Sequence, residues 1–272
     1  MATGVYTPSI HITETFHLRD SIAIYGGFAG TETILEERDW IANPTVLSGD
    51  IDGNDITDPD GVVTTTINII GNNSSNVVTG HNITHTAVLD GFIITAGKGG
   101  GGQSIGYCQS CGGGMYNEMS SPTLTNLTFR GNLAVVGGAM YNTNSSHPSL
   151  TDVSFDSNRA VERGGAVYNK SNSNPTLTDV AFTFNTVGGF MPGAGGGMYN
   201  QNSSPSLINV VFAHNTSGMN NAASSPVLNE VIFDSNSGRG MTNVANSTPS
   251  LTNVRFYHQT GRGMQTLIAT QC

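Results

Sequence analysis

The sequence predicts an all-β protein, a right-handed, single-stranded parallel β-helix (a solenoid) of about ten coils. Three observations indicate this fold. A phrase such as SSPTLTNLTFRGN (120–132) occurs six times, the apolar residues of each copy keep one spacing, and Asn, Asp or Gly commonly interrupts that spacing at one position. Because a single coil cannot bury its own apolar face, stacked copies must supply the core for one another.

The distance between copies varies, while the phrase itself does not. The prolines of successive copies are 21 to 30 residues apart, at positions 122, 148, 175, 205, 226 and 249. The phenylalanines move in the same steps, at positions 129, 155, 182, 212, 233 and 256. Insertions therefore fall in one loop per repeat. Val, Thr and Phe with Gly and Pro punctuation favour strands and turns over helices.

Within each copy, a leucine is followed by an apolar residue three positions later and by another two positions after that. Residues two apart share one face of a strand, so the step of three requires a bend. Asn, Asp and Gly tolerate positive φ. The pattern predicts left-handed bends at Gly91, Asn126, Asp152, Asp179, Asn209, Glu230 and Asn253, of which Glu230 fits least well. A second bend is expected at Gly97, Asn132, Asn158, Asn185, Asn215 and Asn236.

A glycine-led strand completes each coil, as in GGGMYN (112–117), GGAMYN (137–142), GGAVYN (164–169) and GGGMYN (195–200). Its Met or Val is predicted to point inward and its Asn to lie at the following corner. Strands that stack about 4.8 Å apart bring identical residues above one another. Columns of Leu and Phe should then form the core, and columns of Asn should form side-chain amide ladders.

We expect one domain over 1–272, with irregular coils in 1–80 and regular coils in 81–272. The segment TETILEERDWIANP predicts a short lateral helix near residues 32–42, capped by Thr31 or Thr33 and ended by Asn43–Pro44. Both ends of the chain read as strands, and the N-terminus carries no secretory signal pattern. We interpret the sequence as a segment of a larger protein with further domains beside it.

The composition excludes several classes of partner. Charged residues make up 11% of the chain, the net charge is −9 and the pI is near 5.0. Nucleic acids and anionic membranes require basic patches, so neither is an expected partner. No apolar run approaches the roughly 18 residues of a membrane span, so this segment is not expected to insert into a membrane.

The repeats resemble a known family. GGAM (137–140) and GGAV (164–167), together with Phe-x-x-Asn, are similar to the repeats of chlamydial-type polymorphic outer-membrane proteins. The Phe-x-x-Asn copies are 129–132, 155–158, 182–185, 212–215 and 233–236, while the copy at Phe256 ends in Gln259. The opening FHLRDSIAIYGGFAGTET resembles that of secreted bacterial right-handed β-helix repeat proteins. The resemblance implies an exported, extracellular or cell-surface protein with an adhesive role. Our first hypothesis is that the domain is non-enzymatic.

Three functions follow from these features. The first is an adhesive domain that binds a glycan or protein through the loops around 98–111 and 186–195, where insertions collect. The second is a carbohydrate-active enzyme, or a glycan-binding module, with a groove along the coils. Polysaccharide-cleaving enzymes on this fold typically combine clustered carboxylates with a basic residue. The third is ice binding by the outward pairs Thr123/Thr125, Ser149/Thr151 and Thr176/Thr178.

The segment GDIDGNDITDPDG (49–61) is a candidate calcium site. Asp50, Asp52, Asn54 and Asp55 offer the oxygen ligands that Ca²⁺ prefers, although the EF-hand pattern is not met. An ordinary acidic surface loop is the alternative interpretation. Apart from Ca²⁺, no cofactor is expected.

Two pairs of charged residues lie on adjacent predicted coils. Asp152 and Asp179 form an arrangement like paired catalytic carboxylates, although Asp also replaces Asn at a positive-φ bend. Arg239 and Arg262 both precede Gly-Met and should stack closely. They could bind an anion such as a glycan carboxylate, or remain as two solvated side chains.

Cysteine is scarce. Cys108 and Cys111 have CxxC spacing in a glycine-rich stretch, which lacks both the helix start of a redox motif and the four ligands of a zinc site. We predict a local disulfide formed in an oxidising compartment, with Cys272 left unpaired.

Overall fold

The repeats build a parallel β-helix, which confirms the predicted fold class. The computed structural model describes residues 1–100, 108–188 and 194–266. Within these ranges, the strands form a twelve-stranded, a nine-stranded and a three-stranded sheet, and every pairing between named strands is parallel. We call the twelve-stranded sheet the long-strand sheet, because it contains the eight-residue strands of the repeated phrase.

The long-strand sheet contains Gly4–Tyr6, Ala23–Tyr25, Thr45–Ser48, Val88–Asp90, Ile93–Thr95, Thr123–Arg130, Ser149–Asp156, Thr176–Thr183, Ser206–Ala213, Val227–Asp234, Ser250–Thr252 and Arg255–Tyr257. The nine-stranded sheet contains Phe16–His17, Val78–His81, Met115–Glu118, Met140–Thr143, Val167–Lys170, Met198–Gln201, Met219–Ala222, Met241–Val244 and Met264–Thr266. The three-stranded sheet contains Leu133–Val136, Arg159–Arg163 and Thr186–Val187.

The core consists of columns of like side chains, as the repeats predict. Leu124 pairs with Leu150, and Phe129 pairs with Phe155 one coil further along. Neighbouring phenylalanine rings from Phe129 to Phe256 are stacked with centroids 4.5–5.0 Å apart. The inward methionines of the nine-stranded sheet, such as Met115 and Met140, are fully buried. This continuous core explains why the phrase repeats.

The first predicted bend is confirmed in every copy. The residue at this position has a positive φ in each coil, between 51° and 57° for the non-glycine residues and 82° at Gly91. Glu230, the poorest match to the pattern, adopts the same conformation with a φ of 57°. We call this set the bend column; it consists of Gly91, Asn126, Asp152, Asp179, Asn209, Glu230 and Asn253.

The second predicted bend is wrong by one residue. The left-handed residues are Ala96, Gly131, Ser157, Phe184, His214 and Ser235, each directly before the expected position, and His258 is the equivalent residue of the last copy, for which the pattern predicts no second bend. The expected asparagines, such as Asn158, are instead completely buried. Their amides are needed inside the solenoid for hydrogen bonds between coils, and the neighbouring residue makes the turn.

Two amide ladders run along the stack, as predicted. In one, Asn117 Nδ2 donates to Asn142 Oδ1 at 2.9 Å, and the pattern continues through Asn169, Asn200, Asn221 and Asn243. In the other, Asn132, Asn158, Asn185, Asn215 and Asn236 are linked by Nδ2 to Oδ1 bonds of 3.0 Å. Buried polar groups are normally hydrogen-bonded, and the ladders satisfy these amides except for Asn117 Oδ1 at the start of the first ladder.

The lateral helix predicted near residues 32–42 is reduced to one 3-10 turn, Leu35–Glu37. Ile34, and not Thr31 or Thr33, stands before the turn, and it makes no side-chain cap. The carboxylate of Glu32 instead accepts hydrogen bonds from the backbone N–H groups of Ala29, Gly30 and Thr31. These bonds hold the segment as a loop, which we call the lateral loop (29–44). A second 3-10 turn is Thr66–Asn68.

Candidate functional site

An open groove follows the bend column along the outside of the long-strand sheet. Its cavity of about 1010 Å³ spans the coils from Gly91 to Asn209. Trp40, Ile41 and Pro44 of the lateral loop, together with Asp60, line it beside the sheet. We call this cavity the bend groove. A second cavity, of about 340 Å³, lies at the next members of the bend column and is lined by Asn209, Glu230, Ile232, Asn253 and Arg255.

The strand geometry creates this groove. At each bend the left-handed residue directs a polar side chain outward, and Asp152, Asp179 and Asn209 are exposed. The outward residue two positions later also lines the cavity, and it is small or medium-sized in each coil: Thr128, Ser154, Ala181 and Val211. Because these side chains are short, a long and shallow channel runs beside the bend column across consecutive coils.

Two asparagines of the bend column donate side-chain hydrogen bonds to carboxylates of the preceding coil. Asn126 Nδ2 donates to Asp90 Oδ1 at 2.8 Å, and Asn209 Nδ2 donates to a carboxylate oxygen of Asp179. Each of the two amide groups therefore uses one of its two N–H donors within the protein. The second N–H and the acceptor Oδ1 of each amide are not used in these bonds.

A buried arginine holds the lateral loop against the bend column. Arg38 Nη2 is 2.5 Å from Asp90 Oδ2, and the two side chains are only 9% and 12% exposed. The guanidinium carbon lies 5.1 Å from the ring centroid of Tyr25 and 5.0 Å from that of Trp40. Arg38 is therefore sandwiched between two aromatic rings, and it fixes Trp40 at the wall of the groove.

Glycine permits this contact at the first member of the bend column. A Cβ at Gly91 would lie 2.7 Å from Arg38 Nη1 and 3.3 Å from Trp40 Cβ, and the φ of 82° also disfavours a side chain. Gly27 approaches the Trp40 backbone just as closely, with its Cβ position 2.8 Å from Trp40 Cα. The Asn or Asp of other coils is absent here because the lateral loop occupies the space.

The predicted carboxylate pair lies in the bend groove. Asp152 and Asp179 occupy the same position on adjacent coils, and both line the cavity together with Asp60. No Lys, Arg or His lines this cavity within 1–100, 108–188 and 194–266. Arg38 lies nearby, but its guanidinium is paired with Asp90. The carboxylates are thus not joined by the basic residue that the enzyme hypothesis requires.

The acidic residues of the candidate calcium site accept hydrogen bonds from nearby backbone N–H groups. Asp50 accepts hydrogen bonds from the backbone N–H groups of Gly53, Asn54 and Asp55. Asp52 Oδ2 accepts one from Asn72 N at 3.0 Å. The described residues contain no group of three or more His, Cys, Asp or Glu side chains that could hold a metal ion. The calcium assignment therefore stays a prediction that this geometry does not support.

Arg239 and Arg262 lie on consecutive coils, two residues before the paired strand residues Met241 and Met264. Arg239 is half-buried and Arg262 is exposed. They lie outside the bend groove, and anion binding by this pair stays a prediction. The outward hydroxyl pairs proposed for ice binding stack in register over three coils before Ile208 and Val227 interrupt them, and this function is also untested.

Cys108 and Cys111 form a disulfide with Cα atoms 5.3 Å apart. Cys111 packs against a row of tyrosines in the nine-stranded sheet, Tyr116, Tyr141, Tyr168 and Tyr199, whose neighbouring ring centroids are 5.1–5.8 Å apart. Burial raises the pKa of Tyr168 to about 12, so its phenol stays neutral at ordinary pH. Cys272 and parts of the two predicted binding loops (101–107 and 189–193) lie outside the described residues.

Sequence reasoning missed Arg38, Trp40 and Asp90. One signal pointed toward them: the lateral loop carries the only tryptophan of a chain that is poor in charge, next to the acidic and basic cluster EERD. The pattern places Arg38 and Trp40 in a lateral helix and Asp90 in a strand of the repeat, VLDGFIITAG. Their contact with Gly91 and Asn126 could not be read from local periodicity.

Comparisons with protein-family models, with curated proteins and with solved structures find no match to this chain. The structure itself establishes the parallel β-helix and its asparagine ladders. Within the described part of the chain, no helix has the length and apolar character that a membrane span requires.

Proposed function

We propose that this chain is an adhesive repeat domain that binds a linear glycan along the bend groove, outside the cell and without cleaving it. The observation that carries the proposal is the bend groove, an open channel across consecutive coils with the only tryptophan of the chain at its wall. A kinship with the polymorphic outer-membrane proteins, and a place on a bacterial surface, are parts of the same proposal.

The periodicity of the groove suits a ligand that is itself a chain of repeated units. Successive coils present equivalent polar groups about every 4.8 Å along the solenoid. Small ligand sites combine apolar surface with a few polar groups that fix orientation. In the bend groove, Trp40 and Ile41 supply the apolar surface, and Asp152 and Asp179 supply the polar groups. A sugar chain offers matching apolar ring faces and hydroxyl groups.

One observation favours binding over cleavage, and a second favours an extracellular setting. The carboxylates of Asp152 and Asp179 have no basic residue beside them in the described lining of the groove, whereas enzymes of this fold typically use one. The Cys108–Cys111 disulfide is typical of oxidising compartments outside the cytosol. Glycan cleavage is therefore the second hypothesis, and the following experiment distinguishes cleavage from binding alone.

A glycan array probed with the labelled chain tests the proposal, together with an assay for new reducing ends on each glycan that binds. We expect binding without cleavage. Ser154→Tyr would fill the floor of the groove and should abolish binding. Thr151→Tyr is the matched control, because Thr151 lies on the same strand, Ser149–Asp156, but does not line the groove.

Three results would contradict the proposal: no glycan bound by the wild-type chain, equal binding by both tyrosine variants, or release of reducing ends. The third would establish the enzyme instead. Inhibition of ice growth by the wild-type chain, lost in Thr151→Tyr, would identify the outward threonine face as the functional surface.

A further inference from the structure

We infer that the bend groove selects linear glycans that carry free amino groups, with one sugar ring packed on Trp40, and that it rejects polymers of uronic acids. This inference rests on the proposed glycan-binding function and names the class of ligand. It depends on the aromatic wall, on the hydrogen bonds already made inside the groove and on the charges that remain there.

Trp40 is held in place before any ligand arrives. The Arg38 guanidinium packs over its ring, Gly27 and Gly91 allow the loop backbone to lie against the sheet, and the side chain still remains 37% exposed at the groove. Binding costs less when the binding surface is already ordered. A preorganised indole is a suitable platform for the apolar face of a sugar ring, because its aromatic body buries a large area.

The groove offers more acceptors than donors. Asn126 and Asn209 each use one of their two amide N–H donors on a neighbouring carboxylate, which leaves each side chain one N–H donor and the acceptor Oδ1. Asp60, Asp152 and Asp179 can only accept hydrogen bonds when they are ionised. A ligand must therefore bring donors, and hydroxyl and ammonium groups are donors of that kind.

The positive charge of Arg38, beside the groove, is already neutralised by an ion pair within the protein. Arg38 is paired with Asp90 and donates to the carbonyl oxygens of Gly26 and Asp90, each at 3.3 Å. Three carboxylates line the groove, and no cationic side chain of the described residues lines it with them. In the neighbouring cavity, Glu230 and Arg255 are both lining residues and their charges offset, so the net negative charge is confined to the bend groove. A uronate would meet repulsion here, while an ammonium group would meet a compensating charge.

The test compares three oligosaccharides of equal length, made of glucosamine, N-acetylglucosamine or galacturonic acid. Because Trp40 is the only tryptophan, its fluorescence reports directly on the groove, and calorimetry gives the dissociation constants. We expect the glucosamine oligomer to bind at least about tenfold more tightly than the acetylated one. Added salt should narrow that difference, and the galacturonic acid oligomer should not bind.

Asp152→Asn identifies the charge that matters. Asn is native at this bend position in other coils, with φ of 51° at Asn126 and 53° at Asn209, so the variant retains the conformation. Binding of the glucosamine oligomer should weaken roughly two- to fivefold, which is the range of a single screened charge. Glu162→Gln, an exposed residue of the three-stranded sheet outside the groove, removes one negative charge as the matched control and should bind like the wild type.

The possible outcomes separate this inference from the proposed function. Equal affinity for the glucosamine and N-acetylglucosamine oligomers, or tighter binding of the galacturonic acid oligomer, would overturn the ligand class while glycan binding stands. Equal weakening by Asp152→Asn and Glu162→Gln would also overturn it, because net charge and not the groove would then be responsible. If no glycan binds here or on the array, the proposed function fails as well.

Discussion

At the scale of the residue, one buried amide links three coils. Asn185 Oδ1 accepts hydrogen bonds from the backbone N–H and the Nδ2 of Asn158, both at 3.0 Å. Its own Nδ2 donates to Phe155 O at 2.8 Å and to Asn215 Oδ1 at 3.0 Å. The residue is completely buried, so no water can replace these partners. The asparagine of each Phe-x-x-Asn motif thus joins its coil to both neighbours.

Replacing this amide should be costly. Asn185→Ala leaves the buried backbone N–H of Asn158 without its partner and removes one hydrogen bond each from Asn158 Nδ2, Phe155 O and Asn215 Oδ1, and we expect a loss of about 2–4 kcal/mol in the free energy of unfolding. Urea denaturation measures this loss. Asn229→Ala, on the outward face of the strand Val227–Asp234, is the control and should change stability by less than about 0.5 kcal/mol. Equal effects of the two variants would show that the ladder contributes little.

The sequence could not distinguish the two uses of asparagine. Asn126 and Asn132 both stand where a coil changes direction, and asparagine both tolerates a positive φ and forms amide ladders. The step of three between apolar residues identifies the bend at Asn126. No comparable spacing marks the second turn, so the left-handed residue was placed at Asn132 instead of Gly131.

At the scale of the element, the lateral loop and the bend column depend on each other. The loop reaches the sheet only because the bend column has glycine at position 91, and Arg38 then joins the loop to Asp90. Asp90 in turn accepts the hydrogen bond from Asn126. A change at Gly91 should therefore disturb the wall of the groove as well as the local backbone.

Two glycine variants separate these effects. Gly91→Ala adds a Cβ 2.7 Å from Arg38 Nη1, whereas the Cβ of Gly30→Ala meets nothing within 4 Å, although both residues have a positive φ. We expect Gly30→Ala to cost about 1 kcal/mol of stability through backbone strain alone. Gly91→Ala should cost more, shift the emission of Trp40 and weaken glycan binding. An unchanged Trp40 spectrum in Gly91→Ala would contradict the proposed coupling.

Elements whose conformation depends on tertiary contacts are the least predictable from the sequence. The eight-residue strands follow from alternation and from the bend, which are local. The segment 32–42 has a helix-like composition, but Glu32 and Glu37 bind backbone N–H groups of the preceding residues and keep it extended as a loop. Propensity is a weak guide where such contacts and a close approach to the sheet decide the conformation.

At the scale of the whole molecule, most of the perturbed carboxylates stabilise the fold in their ionised form. Hydrogen bonds hold the pKa values of Asp20, Glu32, Glu37 and Asp234 below their ordinary values of 3.8 for Asp and 4.5 for Glu; the main donors are Thr84, Ala29, Thr33 and His258, respectively. Asp55 acts in the opposite direction, because burial raises its pKa. A lowered pKa contributes stability above the ordinary value that is lost as the pH falls through the folded-state pKa.

We therefore expect stability to be maintained down to about pH 5 and to decrease below about pH 4. Urea denaturation at a series of pH values measures this dependence. Asp20→Asn should remove part of the decrease, because its contribution no longer titrates. A chain that becomes more stable below pH 4 would indicate that the raised pKa of Asp55 outweighs the four lowered ones.

The fold and the site differ in how far the sequence predicts them. The solenoid, its core columns and the first bend follow from spacings that recur in every coil. The bend groove also requires Arg38, Trp40, Asp90 and Asn126, which are up to 88 positions apart along the chain. These contacts occur once, at one end of the repeats, and a feature that occurs once leaves no periodic signal.

The matched register of neighbouring strands has an evolutionary consequence. Because Leu150 meets Leu177 in the same way as Leu177 meets Leu207, each turn offers the next one an equivalent surface. Duplication or loss of one complete turn by unequal recombination would leave every remaining junction intact. Under the proposed glycan-binding function, the number of sugar units bound, and with it the avidity for a long polymer, would then change in single genetic steps without the evolution of a new core.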